Sequence, residues 1–389
     1  MTSRGFFTLL FGAAMLFTAL SLGSPWAFLL GACAFIASAL ALISVLSARM
    51  TFRISQDLVS AEVQRGAQCA YSLVIRQYSL LPTAPLALHV CLPSGREREF
   101  ILPVRLFGAT HSDNLFPCPH VGVFPVGVTA VSFSDVFGLF HLSLQMKTAP
   151  LPVTVLPVPQ ETDALPTSPG EGESSSAQRA QADRTTPADI RAWQEGDELK
   201  RVHWKLSMRR QELMVHTYET PQRPDALVLL DLSAPPFDGA MRAYAVDALT
   251  ETCAGVLKSL LESYRIARLP LSGDHARELS GQEPQALAPM LRALAQESFS
   301  RPVDFSRVLL LASRRMRRTG STAIITAALT PPVADAIIAL SRMGPRTRVY
   351  LVAPSTLTTE QAQLVHLLQS CGVDAVHTAI KTSADKERS

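Results

Sequence analysis

Residues 189–210 hold the side chains of this chain best suited to chemistry. The run contains two of the three tryptophans, Trp193 and Trp204, a Gly196-Asp197 turn, and the cations Arg191, Lys200, Arg201, Lys205, Arg209 and Arg210 around His203. His203 with Asp197 has the residue types of an acid-base pair. No nucleophile, glycine-rich phosphate loop or metal-ligand spacing accompanies them, so enzyme chemistry is not expected here. Two other readings remain. One is a cationic, tryptophan-flanked surface for an anionic partner. In the other, Arg191, Asp197, Arg201 and His203 pair with one another while Trp193 and Trp204 fill a domain junction.

The elements around these residues follow from spacing. Gly196-Asp197 places a carboxylate to cap a following helix. Leu199, Val202 and Leu206 recur at helical intervals, with Lys200, Arg201, His203, Lys205 and Arg209 on the other face. After the turn Gln211-Glu212, the residues Leu213, Val215 and Thr217 alternate with Met214, His216 and Tyr218 as in a half-buried strand.

The 389 residues exceed one ordinary core and predict a multidomain chain. A formal charge of +3 is too weak to argue for a nucleic-acid partner. Six cysteines without Cys-x-x-Cys pairing predict free thiols in a reducing compartment, with no zinc site. Two apolar runs, 6–22 and 26–46, flank Gly23-Ser24-Pro25, and each is long enough to cross a bilayer. Arg4, Arg49 and Arg53 lie at the outer ends, which puts both ends on the cytoplasmic side of a bacterial inner membrane. A signal peptide is the competing reading, weakened by the second run and the lack of a small-x-small cleavage site.

Residues 51–160 contain short alternating runs at 69–75, 86–91, 99–104 and 128–133, divided by turn formers. They predict a small antiparallel β-sandwich, with Pro103, Pro117, Pro119 and Pro125 at edges or strand ends. Within 134–140, Asp135 is placed to cap a turn, Gly138 to bend it, and Phe137, Leu139 and Phe140 to plug a core. Residues 161–187 are rich in Pro, Ser, Gly and Glu and predict a flexible loop or linker.

The order Arg-x-aromatic-x-x-Gly-Asp, Arg-x-His-Trp-Lys-x-Ser-x-Arg, Leu-x-Val resembles the signature of the bacterial family called domain of unknown function 58. Its positions here are Arg191, Trp193, Gly196, Asp197, Arg201, His203, Trp204, Lys205, Ser207, Arg209, Leu213 and Val215. Residues 135–140 are similar to the family's Asp-Pro-Phe-Gly-Leu-Phe piece, with Val136 in place of proline. The resemblance implies a membrane hairpin, a MoxR-type AAA+ ATPase as protein partner, and a von Willebrand factor A-like domain after the signature.

Pattern supports that last implication independently. Apolar strands near 226–230, 323–326, 348–352 and 373–378 alternate with helices near 241–261, 287–295, up to 317, 333–343 and 359–369. Such alternation predicts a parallel sheet covered on both faces. The resemblance also implies a metal site at the strand ends. Asp231 and Ser233 fit it, but Pro235 stands where a second serine belongs, and Ala327 or Ala328 where an aspartate belongs. That donor set is expected to be degenerate, with no bound metal or cofactor. The cations at 314, 315, 317 and 318 read as the end of a helix capped by Gly320, the alternative being an electrostatic contact with an acidic partner or the anionic cytoplasmic leaflet.

The expected organisation is a transmembrane helical hairpin at 1–50, a β-sandwich at 51–160, a linker at 161–187, the signature strand-turn-helix at 188–224 and an α/β doubly wound von Willebrand factor A-like domain at 225–389. The expected function is a non-enzymatic docking or scaffold protein of the inner membrane, with its soluble domains in the cytoplasm. The alternatives are a metal-dependent ligand-binding module and an uncharacterised hydrolase or transferase. Residue pattern is silent on self-association.

Overall fold

The computed structural model describes residues 2–79, 81–103, 105, 107–146, 149–163, 165–166, 187–194, 202–218, 225–272, 276–300, 304–314, 316 and 319–381. The chain divides into two compact units, one of Met1–Val158 with Leu291–Glu297, the other of Pro159–Met290 with Ser298–Ser389.

The first unit begins with helices α1 (Ser3–Leu22) and α2 (Pro25–Thr51). Both are long and apolar enough to cross a bilayer. Gly23, at φ +63°, ends α1 in the left-handed region, and Pro25 opens α2, so the Gly-Ser-Pro break makes a tight reversal. Small residues bring the two helices close. A Cβ on Gly12 would lie 3.2 Å from Cβ of Ala34, and one on Gly31 would lie 2.9 Å from Leu16.

The strands of this unit are β1 (Arg53–Leu58), β2 (Glu62–Gln64), β3 (Gln68–Tyr78), β4 (Leu86–Cys91), β5 (Glu97–Leu102), β6 (Phe107–Pro117), β7 (Gly122–Ser134), β8 (His141–Gln145) and β9 (Leu151–Leu156). One sheet has the order β1-β3-β6; the other has the order β2-β9-β7-β4-β5, with β8 also on β7. Alternate residues of both sheets, among them Tyr71, Leu73, Ile75, Leu88, Val128 and Phe133, share one core. Gln56 ties the sheets together: its Oε1 accepts from the Tyr71 hydroxyl at 2.7 Å and from the Val128 amide at 2.9 Å. Pro125 sits in the part of β7 that pairs with β9, while pairing with β4 begins at Gly127. Its missing donor therefore costs no ladder bond on the β4 side.

Helix α2 is longer than a bilayer needs. At 1.5 Å per residue its 27 residues run about 40 Å, against roughly 30 Å of hydrocarbon. The excess packs onto the sandwich. Val45 and Ala48 join its core, the Ser44 hydroxyl donates to the Pro82 carbonyl at 3.0 Å, and the Thr51 hydroxyl donates to the Tyr78 carbonyl at 2.6 Å.

All six cysteines are free. Burial, aided by the neighbouring Cys69 thiol, pushes the Cys118 thiol up to about 11 from its ordinary 9.0. The unfolded chain therefore loses this proton first. The Cys118 contribution is whole below pH 9 and is lost as pH rises through about 11. Urea midpoints followed from neutral to alkaline pH should fall less steeply in Cys118→Ala than in the wild type. An unchanged slope would contradict the assignment.

The second unit contains β10 (Pro187–Ala192), α3 (Trp204–Arg210), β11 (Met214–Tyr218), β12 (Asp225–Leu230), α4 (Ala240–Glu262), β13 (Ala267–Leu271) and β14 (Arg277–Gly281). Beyond them come α5 (Leu287–Gln296), which belongs to this unit only as far as Met290, α6 (Phe305–Ser313), β15 (Thr319–Thr326), α7 (Pro331–Ser341), β16 (Arg346–Ala353), α8 (Thr359–Ser370) and β17 (Asp374–Ala379). Six strands form one sheet in the order β14-β13-β12-β15-β16-β17, parallel except for the antiparallel edge strand β14. Numbered from β12, this is the doubly wound order 3-2-1-4-5-6. Leu227, Leu229, Ile324, Val349 and Leu351 pack under α6, α7 and α8. Helix α4 lies against β12, β15 and β16 with Leu249, Cys253, Val256 and Leu260 buried.

Several expectations need correction. The hairpin of β13 and β14 was not expected, because Pro270 and the polar sequence Arg277-Glu278-Leu279-Ser280 lack an apolar run. Helix α6 stops at Ser313, and Gly320 lies buried inside β15, so it caps no helix. Residues 315, 317 and 318 of the basic cluster fall outside the described residues. The linker expected from 161 does not begin there. Gln160 donates its amide to the Glu251 carbonyl of α4 at 3.2 Å, Leu165 is buried, and the Asp163 carbonyl accepts from Arg348 and from the Tyr350 hydroxyl. Residues 167–186 lie outside the described residues.

Candidate docking surface and a closed carboxylate site

The signature residues are carried by a two-stranded antiparallel sheet of β10 and β11, with α3 between the strands in sequence. The pairing sets Arg191 opposite Val215 and Ala192 opposite Met214. Just beyond β10, the Trp193 amide donates to the Leu213 carbonyl at 2.8 Å. Val202 bridges to Val215, and the His203 amide donates to the Met214 carbonyl at 2.8 Å. Helix α3 is therefore pinned to β11 from its first residue.

His203 is the cap of α3. Its Nδ1 accepts from the Leu206 amide at 3.1 Å, which satisfies one orphan donor of the first turn. Asp197 was expected in that role and lies, with Gly196, Leu199 and Arg201, outside the described residues. The acid-base reading of His203 loses one ring nitrogen to this structural bond. Ser207, the buried residue of α3, donates to the His203 carbonyl at 3.1 Å and accepts from the Met214 amide at 2.8 Å. Replacing Ser207 by Ala leaves that buried amide unpaired and should cost about 1–3 kcal/mol. A thermal melt unchanged in Ser207→Ala would show that the bond is dispensable.

The other face of α3 is open. Trp204 and Met208, four residues apart and so on one side of the helix, are 60% and 80% exposed. Leu213, at 41% exposure, follows them at the entrance to β11. Lys205, Arg209 and Arg210 are exposed around them. Trp204 is thus exposed, against the interior role considered from sequence. Trp193 is half-buried; Arg191 is exposed, with Nη1 on the Ala192 carbonyl at 3.1 Å. Met208 escaped the sequence reading, although its spacing from Trp204 was there to be read.

A second feature lies at the carboxyl ends of β12 and β15. Asp231 is 2% exposed. Its Oδ1 accepts from the Ser233 amide at 3.0 Å, and its Oδ2 accepts from the Thr326 hydroxyl at 2.7 Å. Thr326 accepts in turn from the Ala328 amide at 3.0 Å. Both carboxylate oxygens are already engaged, the Ser233 contact is made by backbone, and Ala327 and Ala328 offer no side-chain oxygen. This donor set does not fit a hard divalent cation, which takes six or more oxygens. Among the described residues, no group of three or more His, Cys, Asp or Glu comes together to hold a metal. Thr326 was read only as the end of an apolar strand; a hydroxyl in that position was its one signal.

These two features occupy one stretch of chain. Residues 189–359 match the family model described as Protein of unknown function DUF58. The matched region covers the signature, the closed carboxylate and the α/β sheet through β16. No curated protein matches this chain. Among solved structures, the chain is similar at 11% identity to Cwp6 from Clostridium difficile, with a TM-score of 0.19, over 83% of this chain and 49% of that one. It is similar at 8% identity to a beta-glucuronidase 3 from Bacteroides uniformis, also with a TM-score of 0.19, over 84% of this chain and 38% of that one. The chain spans less than half the length of these structures, and likeness at this level carries no argument about fold.

Proposed function

We propose that this chain is a bacterial inner-membrane docking protein, anchored by α1 and α2, whose cytoplasmic DUF58 region binds a MoxR-type AAA+ ATPase. The observation that carries the reading is the face of α3. A tryptophan and a methionine stand exposed beside Lys205, Arg209 and Arg210, on a backbone held firm by His203 and Ser207. Aromatic, methionine and arginine side chains are those enriched at protein interfaces, and pre-ordering of the backbone lowers the cost of binding. An acidic, apolar-edged partner surface complements such a face.

Three further observations support the reading. The strand order with one antiparallel edge suits a von Willebrand factor A-like domain, a fold this reading uses for protein contact. Asp231 is taken up by Thr326 and Ser233, which favours docking over metal-dependent ligand binding. Arg4, Arg49 and Arg53 flank the apolar helices and favour cytoplasmic ends.

Affinity capture from detergent extracts tests the proposal. The wild type should recover an AAA+ ATPase, and the double variant Trp204→Ala, Arg209→Glu should lose it while its melting temperature is retained. Recovery of no ATPase, or a hydrolase or transferase activity in the purified wild type, would sink the docking reading.

A further inference from the structure

The loop of residues 135–140 is built more firmly than a packing corner requires, and its tip faces outward. Asp135 is 2% exposed and takes two amides, Phe137 on Oδ2 at 2.9 Å and Phe140 on Oδ1 at 2.7 Å. Gly138 turns the chain at φ +67°, a conformation costly for any residue with a Cβ. Leu139 is buried and Phe140 packs against the sandwich core. Phe137, expected to fill the core, is instead 69% exposed, and Val136 is 57% exposed. A turn locked by its own hydrogen bonds holds two adjacent apolar side chains outward, and its place beside the helices decides what they face.

The helices say where that tip lies. Thr2, the cap of α1, donates its hydroxyl to the carbonyls of Gly138 at 2.7 Å and Leu139 at 2.8 Å, and its amide to Leu139 at 3.1 Å. The loop is thereby tied to the level at which α1 begins. The contacts of Gly12 with Ala34 and of Gly31 with Leu16 set α1 and α2 antiparallel, with the start of α1 beside about residue 44 of α2. At that same level Ser44 bonds to Pro82, and the excess length of α2 begins to pack into the sandwich. Residues 25–44 then measure about 30 Å, the thickness of a hydrocarbon core, as do the 20 residues of α1. Both helices place the water boundary at one plane, and the 135–140 turn sits in it. Arg4 lies there too, with Nη1 3.8 Å from where a Gly138 side chain would start. A cation beside an aromatic tip suits the headgroup layer.

We infer that residues 136 and 137 insert into the headgroup region of the bilayer that α1 and α2 span, so that the sandwich is seated on the membrane surface. The inference rests on the membrane-spanning reading proposed above. Its partner is the phospholipid leaflet itself, entered by Val136 and Phe137 and flanked by Arg4.

Nitroxide accessibility in the full chain, reconstituted in phospholipid vesicles, tests it. In a background of Cys33→Ser, Cys91→Ser and Cys371→Ser, labels are placed singly by Phe137→Cys, Leu115→Cys, Leu10→Cys and Leu40→Cys. Leu115 is 63% exposed and lies on β6 opposite Ala70, eight residues along β3 from Tyr78, far from the helices. The expected result is that the label at 137 collides several-fold less often with a water-soluble nickel chelate than the label at 115, and more often with oxygen. Labels at 10 and 40 in lipid with 137 as wet as 115 would overturn this inference and leave the membrane-spanning reading standing. Labels at 10 and 40 in water would overturn both.

Discussion

Gly255→Ala lowers the stability of the α/β unit and frees residues 159–165 from α4. Gly255 sits in the middle of α4, where alanine would ordinarily gain about 1 kcal/mol in helix propensity. Here the added Cβ would collide with the Gln160 carbonyl oxygen and lie 3.2 Å from Thr162 Cγ2. The nearest atom is backbone, so no side-chain rotation relieves the clash. The segment is also tied on both sides: the Gln160 amide bonds to Glu251, and Arg348 and Tyr350 bond to Asp163. Overpacking of this kind costs about 1–3 kcal/mol, and losing the segment's bonds adds to it, so the clash outweighs the propensity gain. Chemical denaturation should show a lowered midpoint, and limited proteolysis new cleavage between residues 159 and 166. A variant stabilised by about 1 kcal/mol, as plain helix propensity would have it, would refute the close crossing.

Asp231→Ala is expected to cost about 3 kcal/mol, because it strips two hydrogen bonds from a buried carboxylate and leaves their donors unpaired. The Thr326 hydroxyl and the Ser233 amide both point at Asp231 from 2.7 and 3.0 Å. Asp231→Asn keeps the shape and one acceptor oxygen and should recover part of the loss. Magnesium separates this role from metal binding. A site of micromolar affinity would stabilise the protein by about 4 kcal/mol at millimolar metal, whereas a carboxylate already satisfied by protein donors gains nothing. Thermal melts of the wild type should therefore coincide with and without millimolar magnesium. A magnesium-dependent rise that vanishes in Asp231→Ala would make Asp231 a ligand after all.

Much of the architecture was legible because it follows from periodicity and apolar content. The hairpin turn at Gly23-Ser24-Pro25, the strand of residues 86–91 and the alternation from β12 to β17 are local in origin. What escaped was set by neighbours. The hairpin of β13 and β14 has Pro270 inside it and polar residues on its edge, so no apolar run marks it. Helix α3 is shorter than its sequence pattern, because His203 pairs with Met214 and takes the cap position itself. Phe137 reads as a core residue by type, yet the Asp135 turn and Gly138 aim it outward.

By itself the sequence determined the chemistry available: two apolar spans with cations at their outer ends, an Asp-x-Ser after a buried strand, and a tryptophan-rich cationic stretch with no nucleophile beside it. Composition and short-range spacing suffice for such statements, since they depend on residue type and on the 2.0 and 3.6 repeats of strands and helices. Only the tertiary structure decided what each group is free to do. Asp231 is spent on Thr326, 95 residues away; His203 is spent on its own helix; Trp204 and Met208 are left open. Hydrogen-bond partners brought from distant strands choose among the roles a side chain could play, and no local pattern encodes that choice.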